Sequence, residues 1–324
     1  MFRVFVSDDM AMLDGIAPAI EAAADGPVAV ETGVAETPEA VIDACRETDA
    51  DALVAGAQTP VTAEVVAETE PSLVSRAGVG VDTIDLDAAS DAGVTVTNAP
   101  DYCTEEVASH AVALLTAAAR RLGRFDRAVR DGAWGWEDTP APRRLSEATL
   151  GCVGFGRIAR EAVAMADGLV GETVVSDPYV DAETVADYGA EHVDFETVTE
   201  RADLLAVFAP LTPETRALVD AAALERLPED AVVVNVGRGA VIDDAALADA
   251  LADGAVAAAG LDVLPTEPPV DSPLVGREDV LVTPHAGWYS VEAREDLFAT
   301  VASAVAAVAD GGRPDERVTV VDGA

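Results

Sequence analysis

Leu150-Gly151-Cys152-Val153-Gly154-Phe155-Gly156-Arg157-Ile158-Ala159-Arg160 is the stretch on which the fold turns. The apolar run over residues 149–153 reads as a buried strand. Gly154-x-Gly156-x-x-Ala159 follows at once, and Glu161-Ala162-Val163-Ala164-Met165-Ala166 then reads as a helix. Strand, tight glycine turn and helix, in that order, make a dinucleotide-binding fingerprint. Gly154 allows the turn, Gly156 lets backbone approach a pyrophosphate, and Ala159 is small enough for the helix to pack on the strand. The phosphates would sit on unpaired amides at the helix N-terminus. Asp177 ends the next apolar run, residues 173–176, where an acid accepts hydrogen bonds from an adenosine ribose. The bland alternative is a tight turn closed by Asp177-Pro178, with strand, glycines and acid unrelated.

Outward from this stretch, the chain keeps alternating. Downstream, apolar runs at 204–208, 232–236, 258–262 and 280–283 alternate with helical stretches. With 149–153 and 173–176 they supply the six mostly parallel strands of a complete dinucleotide-binding sheet. Upstream, strands are expected at 3–6, 28–31, 52–55, 73–76 and 94–97, with helices at 11–24, 38–45, 63–68 and 86–92. That alternation predicts a second, smaller parallel α/β sheet. Between the two sets, a long helix is expected at 105–122, with Thr104 as its N-cap. A last helix at 291–310 ends at Gly311-Gly312, and a short strand at 318–321 is expected to return to the first sheet. The fold class is therefore α/β with two domains. Residues 1–99 and 289–324 form one, and residues 100–288 are inserted between them as the other.

Composition narrows the partners. The 324 residues include 60 acids and 20 bases, a formal net charge of −40, and every base is arginine. Such a charge repels nucleic acid and anionic membranes, and no uninterrupted apolar run reaches membrane length. It also destabilises the compact state unless salt screens it; at about 1 M salt the Debye length is about 3 Å. The surface reads as adapted to a salty, halophilic cytoplasm. Cys45, Cys103 and Cys152 are scattered, with neither a disulfide framework nor zinc spacing, which suits a reducing interior and no metal.

The chemistry gathers at strand ends, outside whose carboxyl termini such sheets bind ligands. His110 lies within the long helix and reads as packed or capped there. His192 begins a short acidic strand. His285, in Thr283-Pro284-His285-Ala286-Gly287, closes the last strand, and histidine is the best acid/base near neutral pH. Arg238 follows the 232–236 strand in Gly237-Arg238-Gly239, where a guanidinium can grip a carboxylate through two parallel hydrogen bonds. Glu267 follows the 258–262 strand, and a carboxylate beside His285 would hold its tautomer and favour the imidazolium. Arg238 as a loop arginine and Glu267 as a solvated acid are the plain readings of each alone.

Over essentially its whole length the chain resembles the D-isomer-specific 2-hydroxyacid dehydrogenases. The matching stretches are Ala77-Gly78-Val79-Gly80-Val81-Asp82, Asn98-Ala99-Pro100, the fingerprint at 154–159, Gly237-Arg238-Gly239, Asp262-Val263-x-x-x-Glu267-Pro268 and Pro284-His285. The resemblance implies a Rossmann-type NAD-binding domain inserted into a flavodoxin-like substrate-binding domain, and a small 2-oxo or 2-hydroxy acid as substrate. It implies that Arg238 binds and polarises the oxo acid, that His285 is the acid/base, and that Glu267 supports His285. Backbone amides at Val79 and Gly80 would hold the substrate carboxylate, although Gly78-Val79-Gly80 alone reads as a tight loop. Cofactor contacts are implied at Thr104, Gly154, Phe155, Gly156, Arg157, Ile158, Asp177, Ala209, Pro210, Thr215, Val236, Gly237, Asp262 and Gly287. Asp177 would repel a 2′-phosphate, favouring NAD over NADP. Trp288 either lines the substrate pocket or packs at the domain hinge.

Within the family, Asp101-Tyr102-Cys103-Thr104-Glu105-Glu106-Val107 and His285-Ala286-Gly287-Trp288-Tyr289-Ser290 are similar to the C-terminal-binding-protein branch. That branch supplies the rival reading, an NADH-sensing regulatory or corepressor-like protein with little turnover. The chain is also similar to phosphoglycerate dehydrogenases. In those a basic residue near the loop after the third strand serves the substrate phosphate, whereas Ala57-Gln58-Thr59-Pro60 offers neutral Gln58. The resemblance further implies a homodimer through the cofactor domains, by the long helix and the arm near Trp134-Gly135-Trp136.

Overall fold

The computed structural model describes residues 1–8, 11–137 and 139–323, and the chain divides into two compact units, Met1–Tyr102 with Ser290–Ala324 and Cys103–Tyr289. In chain order the first unit begins with β1 (Phe2–Ser7), α1 (Ala17–Ala23), β2 (Val28–Gly33), α2 (Pro38–Thr48) and β3 (Ala52–Ala55). It continues through α3 (Ala63–Thr69), β4 (Leu73–Arg76), α4 (Leu86–Asp91) and β5 (Thr95–Thr97). The second unit opens with α5 (Thr104–Ala119), α6 (Leu122–Arg130), β6 (Thr149–Val153), α7 (Arg157–Ala166) and β7 (Glu172–Ser176). Then come α8 (Ala182–Ala186), β8 (Glu191–His192), α9 (Phe195–Arg201), β9 (Leu204–Val207) and α10 (Ala221–Arg226). It closes with β10 (Ala231–Asn235), α11 (Asp244–Asp253), β11 (Val256–Leu261) and β12 (Val280–Val282). The chain returns to the first unit with α12 (Val291–Ala309) and β13 (Thr319–Val321).

In the first unit the strand order is β13-β5-β4-β3-β1-β2. Read from the other edge it is 2-1-3-4-5, the flavodoxin-like order, extended by one strand. All pairs are parallel except β13 on β5. The returning strand seals an edge that would otherwise present unpaired backbone groups. The first helix is shorter than the apolar pattern from residue 11 predicts. Gly15 turns the chain at φ +87°, and Pro18 sits in the first helical turn, where a missing N–H costs nothing.

The second unit carries a seven-stranded sheet, β12-β11-β10-β9-β6-β7-β8, parallel throughout. This is the dinucleotide-binding order 3-2-1-4-5-6 with β12 as a further strand, and the short acidic strand expected to begin at His192 is the two-residue edge strand β8, which ends there. The parallel register sets Ser176, Val153, Val207, Asn235, Leu261 and Val282 in one row across the sheet. Whatever follows these residues emerges side by side along one rim. Beneath, Val174, Leu205, Val233 and Ala259 pack with Val198, Leu224 and Leu247 in an apolar core. Each large aliphatic side chain buried there contributes about 1.5–3 kcal/mol.

The long helix differs from its expected form. Its N-cap is Cys103, with no side-chain cap bond, and Thr104 is the first helical residue rather than the cap. It stops at Ala119, because Arg121 takes a left-handed conformation at φ +58° and starts α6 in a new direction. The physical reason is close packing: a Cβ at Gly123 would overlap the Leu281 side chain, so α6 is drawn onto β12.

Candidate active site

The fingerprint turn is built as its residues require. Gly154 has φ +88°, and a Cβ there would lie 2.9 Å from the Ala209 nitrogen. The turn therefore presses against the 208–209 segment after β9. Gly156 is the reverse case, because a Cβ there would meet nothing within 4 Å. As N-cap of α7 it contributes no side-chain cap, so the first amides of the helix stay open to an anion on an unobstructed side. Ala159 is fully buried between helix and sheet. Arg157 and Ile158 form the first turn of α7.

Phe155 contributes differently from an open turn residue. Its ring is buried, set edge-on to Tyr188 with centroids 5.5 Å apart, and its N–H donates to Asp177 Oδ2 at 2.7 Å. Tyr179 N–H donates to the other oxygen, Oδ1, at 2.8 Å. Asp177 is thus fixed by two amides, and a carboxylate with about four acceptor sites retains room for ribose hydroxyls. His192 reaches the same corner, its Nε2 3.0 Å from the Asp177 carbonyl oxygen. On the neighbouring rim, Thr215 Oγ1 donates to the Pro210 carbonyl at 2.6 Å and accepts from Thr212 N–H at 2.7 Å. A Cβ at Gly237 would lie 2.7 Å from the Ala209 carbonyl oxygen, so the segments holding Ala209-Pro210 and Val236-Gly237 are in backbone contact. An open helix N-terminus, a fixed acid and a clear approach at Gly156 fit a dinucleotide.

The chemical groups follow the ends of β10, β11 and β12. Asn235 is fully buried; its Oδ1 accepts from Gly237 N–H at 3.0 Å, and its amide donates to the Arg238 carbonyl at 3.0 Å. Arg238 donates to the Gly237 carbonyl at 2.9 Å. A Cβ at Gly239 would overlap the Leu264 carbonyl group, so this turn lies directly on the 264–265 segment. Leu264 N–H in turn donates to Glu267 Oε1 at 2.8 Å, and Glu267 Oε2 lies 2.8 Å from His285 Nδ1. Both Glu267 oxygens are therefore committed, one to anchoring and one to the imidazole. With Nδ1 engaged, Nε2 is the nitrogen left to exchange a proton with a substrate.

Asp262 sits beneath this group with only 3% of its side chain exposed. Oδ1 accepts from Thr283 Oγ1 at 2.6 Å and Ala286 N–H at 2.8 Å, and Oδ2 accepts from Gly287 N–H at 2.9 Å. Burial pushes this carboxyl up, but the hydrogen bonds from His110, Thr283, Gly287 and Ala286 outweigh it and hold it below the usual carboxylate range. A Cβ at Gly287 would lie 2.8 Å from Asp262 Oδ2, which explains the glycine. Sequence reasoning treats Asp262 as a cofactor contact; its carboxylate is turned onto the loop that carries His285. It also leaves His110 as a packed helical residue, whereas Nε2 lies 2.9 Å from Thr283 Oγ1 and 3.3 Å from Asp262 Oδ1. No spacing rule links positions 110 and 283.

Trp288 stands half-buried at the end of the second unit, edge-on to exposed Tyr289 at 5.4 Å. Thr104 opens α5. Val79 and Gly80 belong to the first unit, in a turn held from the side: Asn98 Nδ2 donates to the Val79 carbonyl at 2.7 Å and Ala99 N–H to the Gly78 carbonyl at 3.0 Å. The cysteines are free of disulfides. All three are buried, and burial pushes the Cys45 thiol up to about 11 and the Cys152 thiol up to about 12. Among the described residues, no helix is long and apolar enough to cross a membrane.

Comparison with known proteins is consistent with this geometry. Residues 112–287 match the family model described as D-isomer specific 2-hydroxyacid dehydrogenase, NAD binding domain. The D-3-phosphoglycerate dehydrogenase of Mycobacterium leprae is 40% identical over 258 residues, covering 79% of this chain and 49% of that protein. The D-3-phosphoglycerate dehydrogenase of Bacillus subtilis is 37% identical over 313 residues, 96% of this chain and 58% of that protein. The chain thus spans about half the length of the curated relatives it matches. A crystal structure of a protein from Thermus thermophilus superposes with a TM-score of 0.84 at 30% identity, covering 99% of this chain and 100% of that one. Both of these relatives are phosphoglycerate dehydrogenases, so the placement in the C-terminal-binding-protein branch is corrected. Two short stretches, at 101–107 and 285–290, pointed to that branch, and alignments spanning most of the chain outweigh them. This chain belongs to the D-isomer specific 2-hydroxyacid dehydrogenase family, and residues 112–287 match its NAD-binding domain.

Proposed function

We propose that the protein interconverts a small 2-oxo acid and its D-2-hydroxy acid, with Arg238, Glu267 and His285 as the working side chains. The observation that carries this reading is the His285–Glu267 pair at 2.8 Å, with Glu267 anchored on the Leu264 amide at the rim where Arg238 also emerges. Bound NADH would supply the hydride. Arg238 binds the oxo acid and stabilises the charge that develops on its oxygen as the carbonyl is reduced. His285, its Nδ1 proton directed to Glu267, gives the Nε2 proton to that oxygen, and takes it back in the reverse direction. Val79 and Gly80 amides are the proposed partners of the substrate carboxylate, and Asp177 the basis for preferring NAD to NADP.

The test is NADH oxidation in molar KCl against pyruvate, glyoxylate, hydroxypyruvate, phosphohydroxypyruvate and branched or aromatic 2-oxo acids. Fast turnover on one acid supports the reading and names the substrate class. Tight NADH binding without turnover on any of them replaces it with a regulatory, NADH-sensing role. Arg238→Ala should lower kcat/KM by at least about a hundredfold, through both KM and kcat, since it removes a charge-stabilising donor. An unchanged kcat/KM removes Arg238 from the mechanism.

We also propose a homodimer through α5, α6 and the arm after them. Trp134 and Trp136 are 89% and 72% exposed, Leu122 and Val129 are also exposed, and Arg120, Arg124, Arg127 and Arg130 concentrate positive charge in an acidic chain. Light scattering in high salt should give twice the 33.2 kDa chain mass; a monomer mass contradicts it.

A further inference from the structure

His110 is a titratable group at the rim to which the chemistry above gives no task. It stands on α5, 173 residues from its partner Thr283. The hydrogen-bond network assigns its tautomer. Asp262 is held ionised and can only accept, so Thr283 Oγ1 must spend its single proton on Asp262 Oδ1 at 2.6 Å. Thr283 Oγ1 can then only accept from His110 Nε2, 2.9 Å away, and the other neighbour of Nε2 is Asp262 Oδ1 at 3.3 Å. Both are acceptors, so His110 carries a proton on Nε2 and donates.

What it donates into is the support of the His285 loop. Asp262 Oδ1 takes the Ala286 amide and Oδ2 the Gly287 amide, at 2.8 and 2.9 Å, and His285 N–H donates to the Asp262 carbonyl at 2.8 Å. The carboxylate therefore clamps the two residues after His285 while its own backbone clamps His285. Contact is close enough that a Cβ at Gly287 would lie 3.5 Å from His110 Cδ2. We propose that His110 is a positioning residue: through the Thr283–Asp262 pair it fixes the Ala286-Gly287 backbone, and with it the direction in which the His285 imidazole is presented. The inference rests on the reading of His285 as the proton donor. A histidine that only ties α5 to the sheet is the competing account.

The experiment compares His110→Phe, which keeps a ring and loses the donor, with His110→Gln, whose Nε2 amide can reach the same place. Two readouts are taken: steady-state kinetics on the accepted oxo acid, and amide hydrogen exchange in the presence of molar KCl. The expected result for His110→Phe is a ten- to hundredfold lower kcat, as a misdirected acid produces, with KM for the oxo acid and Kd for NADH within about threefold of wild type. Exchange at Ala286 and Gly287 should quicken at least about tenfold while Val233 and Val234 in β10 stay protected. His110→Gln should recover most of both. The proposal is overturned by wild-type kcat and exchange in His110→Phe. It is equally overturned if β10 loses protection to the same degree, or if glutamine gives no recovery, since a general structural role predicts those. The exchange arm does not depend on turnover, so an inactive wild type refutes the functional reading separately.

Discussion

Residue 285 is a histidine at φ +52°, a backbone region that side chains with a Cβ seldom adopt. Strain of this kind costs on the order of 1–3 kcal/mol and persists only where the surroundings enforce it. Here the enforcement is visible: His285 N–H is held by the carbonyls of Asp262 and Thr283, and the side chain by Glu267 at 2.8 Å. Glu267→Gln tests that division of labour. Its carbonyl oxygen can still accept from Leu264, but an amide NH₂ then faces the Nδ1 proton, or the imidazole turns to its other tautomer. We expect kcat to fall by about ten- to a hundredfold, with NADH affinity unchanged. A variant within twofold of wild type would show that Glu267 only anchors its own loop. His285, Glu267 and Arg238 are legible in the sequence because each follows a strand end within a short motif. The His110–Thr283–Asp262 support is not, because its members meet only when α5 lies against β11 and β12.

Elements were legible wherever burial on both faces writes a continuous apolar run, as in β6, β9 and β10. They are hidden where a backbone turn carries no marked residue. The sequence Ala118-Ala119-Arg120-Arg121-Leu122 has no helix breaker, yet the chain turns at Arg121 so that Gly123 can meet Leu281. The fingerprint turn separates two glycine functions that a motif treats alike. Gly154→Ala forces a Cβ to 2.9 Å from the Ala209 nitrogen at φ +88°. It should cost at least about 1–2 kcal/mol of stability, seen as a lower Tm. Gly156→Ala meets no protein atom within 4 Å and has an ordinary φ of −71°. Its Tm should hold while the Kd for NADH rises at least tenfold, because the methyl enters the space through which a pyrophosphate approaches. Equal Tm losses in the two variants, or unchanged NADH affinity in Gly156→Ala, would contradict this assignment.

For the whole molecule, the net charge of −40 sets the conditions under which any of this can be measured. Many of the arginines stand in short pairs near the surface, such as Arg317 with Asp315 and Arg277 with Asp279, where solvent and salt screen the attraction. Acids still outnumber bases by 60 to 20. Screening should therefore stabilise the fold: Tm is expected to rise by at least about 10 °C between 0.1 and 2 M KCl. A Tm that is flat or falling over that range would remove the halophilic reading. The short strand expected at 318–321 shows in the sequence as an apolar run after the last helix, and β13 pairs with β5. How far Trp134 and Trp136 extend was not, because an exposed arm leaves no periodic imprint on its own chain.

The most direct test of the account is His285→Ala, assayed in molar KCl on the best oxo acid of the panel beside its Kd for NADH. Loss of the proton donor should lower kcat by a factor of about 100 to 10,000 with NADH bound as tightly as in wild type. Turnover within threefold of wild type would contradict it, and would mean that the proton comes from elsewhere and that the His285–Glu267 pair serves the fold alone.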